Sequence, residues 1–497
     1  VFLVLKSEEQ KGYAERYYMK DLLIGLDLGT SALKGVLISA SGDIIAQDKV
    51  STCITRPEPG YVEVSAEKHY SNVCALIRIL AEKVPEGSQV RALSMAAASG
   101  NTLLAGADGE PLTPIINWMD TRVKERIEEY MPGLDAKGVY PVVGWPFSGT
   151  FPLAHLAWFR KEQPDAYRKA SHICMNSDYI LYKLTGKWGM DYSTATTFFL
   201  QDQMKREFYE PFLKMLGIDE EQLSPLSQSG TVLGPLTKQA AQDTGLDTDT
   251  LTVLGAFDHP CAARGTGSVE PGDLLMSCGT SWVGFFPVMD RDRAISQNLL
   301  IDPFLSPDGP WGTMFSFTGI GVAIDRYIDE IIIDDVEEAH DKYFVFSSMA
   351  EKAQLGAGGL ILSLEGDTNK ALEQGHVLKD TYSRENISRA VMEGAAFLMR
   401  RKIEDLAEAG IQASNITMVG GPAESPVWPQ ILADVTGLEF RIGFGQTAGA
   451  LGSAVLAGVG SGVFKGLEHG YTSLTCDVKT IIPDQEAHRE YSKLAEE

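Results

Sequence analysis

Two short stretches of this chain combine residue types suited to holding a phosphate. Leu23-Ile24-Gly25-Leu26-Asp27-Leu28-Gly29-Thr30-Ser31 returns in reduced form in the second half as Leu275-Met276-Ser277-Cys278-Gly279-Thr280-Ser281. In each, an apolar, strand-like run ends in Gly-Thr-Ser and a second apolar run follows, Leu33 to Ile38 or Trp282 to Val288. That pattern predicts a β-hairpin whose turn is opened by glycine and hydroxyl residues. Such a turn aims backbone N–H groups and hydroxyls at one spot, which suits an anion. Only the first copy carries a carboxylate, Asp27, where a magnesium ion could be held. A turn aspartate capping its own backbone fits the same local pattern, and the second Gly-Thr-Ser copy favours the phosphate reading. Two such turns imply two similar domains closing on one polyphosphate, hence an ATP-using enzyme.

Other residues add chemistry. Asp258 follows the apolar run Leu251–Phe257 and precedes His259-Pro260, the pattern of a strand-to-helix junction. An N-cap aspartate needs no further role. Yet open α/β sheets place ligands at strand C-termini, and a carboxylate there could take a proton from a substrate hydroxyl attacking phosphorus. His259 reads as a structural neighbour. Gly420-Gly421-Pro422-Ala423 follows another strand-like run and would let a flat ring or ribose approach the backbone, or simply make a tight turn. Trp118, Asp120 and Arg122 offer an indole wall beside polar groups, as sugar sites do, or a buried indole beside a local ion pair. Gly445 to Gly460 is rich in glycine and alanine, which suits close helix packing. The run Arg400-Arg401-Lys402 reads as a solvated helix face.

The elements that must position these groups alternate strand with helix, so the class is α/β. A chain of 497 residues is too long for one core. A polar stretch from Asp243 to Thr250 suggests a boundary just before Leu251. The expected division is an extension or leader over 1–18, a first domain over 19–250 and a second over 251–497. The 44% hydrophobic and 22% charged content is that of an ordinary soluble globular protein. A net charge of −24 argues against nucleic acid or an anionic membrane as partner, since both need a basic face. No apolar run approaches the roughly 20 residues of a membrane helix. The six cysteines are scattered without metal-ligand spacing, as expected of reduced thiols in a cytoplasm.

Taken in order, Asp27–Ser31, Trp118–Arg122, Asp178–Gly186, Gly255–Ala263, Ser277–Ser281 and Gly420–Gly437 resemble the FGGY family of carbohydrate kinases, over about Leu22 to Gly462. The resemblance implies an actin-like ATPase fold, two ribonuclease-H-like domains flanking a cleft, with ATP and Mg²⁺ as cofactors. It implies that Asp27 helps place Mg-ATP and that Asp258 is the general base. Gly29, Thr30 and Ser31 would form one phosphate turn and Gly279, Thr280 and Ser281 the other. Gly420, Gly421 and Ala423 would form the adenosine loop.

The departures bear on the substrate. Where xylulokinases carry Gln-Met-His-Gly and glycerol kinases Gln-Arg-Glu-Thr, this chain has Ala98, Ser99, Gly100 and Asn101. The large polar contacts of both subfamilies are missing. Ser99, Asn101, Trp118, Asp120 and Asp258 are therefore the expected substrate contacts. Many members also carry Gly-Glu-Arg-x-Pro where this chain reads Glu365-Gly366-Asp367-Thr368-Asn369. The expected activity is transfer of the γ-phosphoryl of Mg-ATP to a hydroxyl of a sugar, first of all a ketose, or of a polyol or sugar acid. The expected partner is that small molecule, and a homodimer is compatible with the sequence. The rivals are another ATPase on the same fold and a catalytically dead sugar sensor.

Overall fold

The structure is a computed structural model and describes residues 21–306, 308–333, 341–364 and 377–496. The chain divides into two compact units. The first comprises Val1–Gly267, Leu300–Pro307 and Thr447–Thr475, and the second Ser268–Leu299, Asp308–Gln446 and Cys476–Glu497.

In the first unit the strands are β1 (Asp21–Leu28), β2 (Ala32–Ser39), β3 (Ile44–Ser51), β4 (Gln89–Ala97), β5 (Val232–Pro235) and β6 (Leu251–Phe257). They lie in the order β3-β2-β1-β4-β6-β5. The β1–β2 and β2–β3 pairs are antiparallel, β1–β4 and β4–β6 are parallel, and β5 closes the edge antiparallel to β6. β1 is a nearly unbroken apolar run because the sheet is covered on both faces. Leu22, Ile24, Leu26 and Leu37 are fully buried with Leu76, Ile77 and Leu80 of helix α1 (Ala66–Ala81). Ser65 caps that helix, accepting from the Lys68 N–H.

The second unit repeats the plan. Six strands of its seven-stranded sheet, β7 (Asp273–Cys278), β8 (Trp282–Val288), β9 (Trp311–Phe317), β10 (Asn415–Gly420), β11 (Phe440–Ile442) and β12 (Lys479–Ile481), run in the order β9-β8-β7-β10-β11-β12. Their senses match those of the first sheet pair by pair. The duplicated Gly-Thr-Ser motif therefore marks a duplicated sheet.

The boundary expected before Leu251 lies elsewhere. Leu251–Phe257 pairs in parallel with β4 inside the first sheet, and the chain leaves that unit after Gly267. The polar stretch that suggested a boundary is the end of a helix, Lys238–Thr244, and its left-handed Gly245 cap. The first unit also takes back helix α8, which the expected division assigned to the second domain. To number it in chain order, the helices used below are α2 (Asn176–Thr185), α3 (Tyr192–Phe198), α4 (Asp258–Thr266), α5 (Ile320–Tyr327), α6 (Arg384–Glu408), α7 (Trp428–Thr436) and α8 (Ala448–Ser461).

The glycine- and alanine-rich α8 packs backbone to backbone, as its composition suggested. A methyl group on Gly25 of β1 would lie 1.9 Å from the Ala450 carbonyl oxygen, and one on Gly452 would lie 1.7 Å from that of Cys261 in α4. Ser453 fixes the register by donating to the Leu26 carbonyl at 2.8 Å. The expected solvated face of Arg400-Arg401-Lys402 needs correcting at Arg400. That side chain on α6 pairs with Glu404 and donates to the Val435 carbonyl and Ser492.

The cysteines are free thiols, with Cys74, Cys174, Cys261 and Cys278 buried. Among the described residues, no helix is long and apolar enough to cross a membrane. Residues 1–18 and the stretch 365–369 lie outside the described residues.

Candidate active site

In the first unit the C-terminal ends of three neighbouring strands carry the candidate residues. β1 ends in Asp27 and the turn Gly29-Thr30-Ser31, β4 runs into Ala98-Ser99-Gly100-Asn101, and β6 runs into Asp258. Parallel register sets Asp27 beside Ala96 and Leu28 beside Ala97, so turn and loop leave the sheet side by side. This is the edge where open α/β sheets bind ligands.

The turn is anchored from behind. Thr52, just past β3, donates through Oγ1 to the Thr30 carbonyl at 2.5 Å and through its N–H to that of Ser31 at 3.2 Å. Ser31 is exposed, while Gly29 and Thr30 are half-buried. The Trp118 indole N–H donates to Thr30 Oγ1 at 2.9 Å. Trp118 itself is 39% exposed, so its ring is available as a wall.

Asp27 retains some surface as a residue, but its carboxyl group is withdrawn from water. Burial pushes it from the ordinary 3.8 up to about 7, the charge of Asp258 adds to the shift, and Lys34 opposes it. The same carboxylate faces the start of α8, where a methyl group on Gly449 would sit 3.1 Å from its Oδ2. A helix N-terminus favours negative charge there. Asp258 is the first residue of α4 and its side chain is 28% exposed. Its Oδ1 accepts the His259 N–H at 2.8 Å, leaving Oδ2 with no bond to a described residue. His259 stands edge-on to the Phe257 ring, in keeping with a structural role.

The Asp27 shift has a definite sign for stability. The folded chain holds that proton up to about pH 7, whereas the unfolded chain releases it near 3.8. The contribution is thus fully present below 3.8 and lost as pH rises to about 7. Asp27→Asn, a neutral isostere, is expected to raise Tm at about pH 8 and to change it little at about pH 4. Equal shifts in thermal melts at the two pH values would refute this account of Asp27.

The substrate candidates divide. Asp120 needs correcting as a direct contact. It is fully buried, and its two oxygens accept from the Val62 N–H, the Arg122 N–H and the Arg122 guanidinium. Arg122 also pairs with Glu63 and stacks 3.8 Å over the Tyr61 ring. Asp120 therefore fixes the segment that presents Trp118. Ser99 donates to the Ala97 carbonyl, and Asn101 exchanges bonds with Asn176 at the start of α2 while donating to the Ala98 carbonyl. The loop spends its own polar groups on its shape.

Gly100 adopts φ +84°, and a methyl group there would meet the Phe151 ring at 2.8 Å. Phe151 belongs to an aromatic group with Trp145, Phe199 and Phe257, with ring centroids 4.7–6.4 Å apart. Sequence reasoning missed this group. Its members come from separate segments and leave no local periodicity; the run Trp145-Pro146-Phe147 was the available hint.

In the second unit Gly279 and Thr280 are exposed at the β7–β8 turn. The start of α5 backs that turn. The Gly319 N–H donates to Ser281 Oγ and the Gly321 N–H to the Thr280 carbonyl. Gly420 lies opposite Cys278 in parallel register, with φ +100° and no room for a side chain against the Cys278 carbonyl. Gly421 is exposed, and a methyl group there would meet no atom within 4 Å, while Ala423 is half-buried in the short turn Gly421–Glu424 before α7. An open glycine surface beside a hydroxyl-bearing turn can take a flat ring and its phosphates.

Residues 22–265 match the FGGY family of carbohydrate kinases, N-terminal domain, and residues 274–461 match the C-terminal domain of that family. The autoinducer-2 kinase of Yersinia enterocolitica serotype O:8 / biotype 1B is 28% identical over 469 residues, covering 90% of this chain and 88% of that protein. Gluconate kinase from Lactobacillus acidophilus is 22% identical with a TM-score of 0.81, covering 96% of each chain. Xylulose kinase from Rhodospirillum rubrum is 22% identical with a TM-score of 0.82, covering 96% of this chain and 97% of that one. The two structures establish a two-domain actin-like ATPase fold.

Proposed function

Because the chain belongs to the FGGY family of carbohydrate kinases, we propose that it transfers the γ-phosphoryl group of Mg-ATP to a hydroxyl of a sugar, first of all a ketose, or of a polyol or sugar acid. The observation that carries the residue assignment is the pair of carboxylates Asp27 and Asp258 on one sheet edge, near enough that the charge of Asp258 adds to the rise of the buried Asp27 carboxyl.

Asp258 takes the proton of the acceptor hydroxyl through its free oxygen. The hydroxyl oxygen bonds to the γ-phosphorus, the bond to the β-phosphate oxygen breaks, and ADP leaves. Positioning and electrostatics supply most of the acceleration in such transfers. The Gly29–Ser31 and Gly279–Ser281 turns offer N–H and hydroxyl donors to phosphate, and Gly420, Gly421 and Ala423 receive the adenosine.

Asp27 is the residue to hold Mg²⁺. Its hard oxygen donors fit, and so does a buried carboxyl near pH 7 whose proton a cation can displace. Among the described residues no cluster of three or more His, Cys, Asp or Glu is built for a metal. That suits an ion that arrives with the nucleotide and keeps phosphate and water ligands. When bound, Mg²⁺ supplies neutralisation of phosphate charge.

The test is ADP release over a panel of ketoses, polyols and aldonates that includes autoinducer-2, gluconate, glycerol and D-xylulose. Sugar-dependent release separates a kinase from a sugar-independent ATPase and from a dead sensor. Because Ser99 is engaged by the Ala97 carbonyl and Asn101 by Asn176, few fixed donors remain to select a small polyol hydroxyl. Glycerol and D-xylulose are therefore expected to be poor substrates beside a bulkier or differently configured ketose or polyol. If either gives the highest kcat/KM, this reading of the 98–101 loop is wrong while the kinase assignment stands.

A further inference from the structure

Helix α4 carries Asp258 at its first position, so the placement of that carboxylate depends on what holds the β6–α4 junction. Part of that hold comes from the short segment 300–306, a strap that belongs to the first unit although the chain on either side of it belongs to the second. The strap is seated by backbone bonds: the Ile301 N–H donates to the Gly144 carbonyl at 2.9 Å, and the Ile301 carbonyl accepts from Trp145 Nε1 at 3.1 Å and Gln203 Nε2 at 2.8 Å.

From there the strap reaches the junction at three points. Asp302 Oδ2 accepts from the Ser193 hydroxyl of α3 at 2.6 Å, and Ser193 Oγ in turn accepts the Phe257 N–H at 3.2 Å. Trp145, bonded to the strap, packs edge-on against the Phe257 ring at 5.7 Å. Arg264 on α4 donates to the Phe304 carbonyl and to that of Pro260, with its guanidinium 4.5 Å above the Phe304 ring.

The chemistry of Asp302 is out of proportion to a packing role. It is fully buried, its Oδ1 has no partner, and the nearby Arg264 leaves its Nε unpartnered as well. Burial pushes the Asp302 carboxyl up to about 7, against the pull of Ser193 and Arg264. An acid buried with one hydroxyl partner lowers stability, and an apolar residue of similar volume would serve the core better. What the carboxylate does achieve is directional. By accepting the Ser193 O–H it turns a hydroxyl lone pair toward the Phe257 N–H, which belongs to the Ala256–Phe257 peptide one residue ahead of Asp258.

We propose that Asp302 and Ser193 form a positioning relay that fixes the Ala256–Phe257 peptide, and through Phe257 the Asp258 carboxylate, for proton transfer. This rests on the reading of Asp258 as the base. Ser193→Ala and Asp302→Ala should each lower kcat by about tenfold or more, since small misplacements of a reacting group are costly. KM for both substrates should stay within about twofold, because the relay touches neither ligand. The double variant should be no slower than the worse single one, as members of one relay are not additive. Asp302→Asn keeps an acceptor oxygen for Ser193 and should restore kcat to within about threefold of wild type.

The experiment is steady-state kinetics of the full chain with its best panel substrate, with thermal melts alongside and Asp258→Asn measured in parallel. Wild-type kcat in Ser193→Ala and Asp302→Ala overturns the relay, and so does an Asp302→Asn variant as slow as Asp302→Ala. If Ser193→Ala does not fold, the comparison of Asp302→Ala with Asp302→Asn decides alone. If Asp258→Asn retains turnover, the base assignment fails and takes the relay with it. If Asp258→Asn is inactive while the relay variants are fully active, the relay alone fails.

Discussion

Asp258→Asn is expected to fold as the wild type does and to lose turnover by a factor on the order of 10² to 10⁴, the usual effect of removing a general base. The side chain is 28% exposed and makes one described hydrogen bond, from the His259 N–H to Oδ1. An asparagine carbonyl oxygen accepts that bond equally well, so the first turn of α4 is undisturbed. The amide nitrogen cannot take a proton from an attacking hydroxyl, so the chemical step suffers alone. The predicted signature is a large fall in kcat, little change in KM for ATP and an unchanged melting curve. Near wild-type turnover would leave Asp258 with a structural role alone.

The second large effect concerns stability. Gly452→Ala is expected to destabilise the first unit at or above the upper end of the roughly 1–3 kcal/mol typical of overpacking. The added methyl group would lie 1.7 Å from the Cys261 carbonyl oxygen and 2.5 Å from its carbon. These are backbone atoms of α4, which cannot rotate away as a side chain does. Helix α8 cannot retreat either, because its other face meets β1 at Gly25 with equal tightness. Gly466→Ala is the matched control: its φ of 170° is ordinary extended backbone and no atom lies within 4 Å of the new group. Thermal melts of the two variants check the claim. Equal melting temperatures would show that the seam has slack.

Both variants act on elements that were legible in the sequence, and the reason is local. A hairpin turn and a strand-to-helix junction are written in consecutive residues, so Gly29-Thr30-Ser31, Gly279-Thr280-Ser281 and Asp258 could be placed from pattern alone. The Ala- and Gly-rich run of α8 likewise announced close packing, because small side chains serve little else over such a length. What could not be read is whatever depends on segments far apart in the chain. Asp120 looked like a site residue because its neighbours suit a sugar, but its oxygens are taken by Val62 and Arg122. Leu251–Phe257 looked like the start of a new domain, because nothing within it reveals that its partner is β4. The strap at 300–306 has no motif at all; its role exists through residues distant in sequence, among them Gly144, Trp145, Ser193 and Arg264.

The first unit is stitched from three stretches of chain, the last of them Thr447–Thr475. A ribosome delivers β1, β4 and β6 early, yet α8, which buries the Gly25 face of that sheet, emerges after nearly all of the second unit has been made. Domains that are continuous in sequence commonly fold in the order of synthesis. Here the first unit must wait, one face of its sheet uncovered, for a helix encoded after most of the second unit. A chain stopped after Gly267 would therefore expose that face and fall short of a free-standing domain.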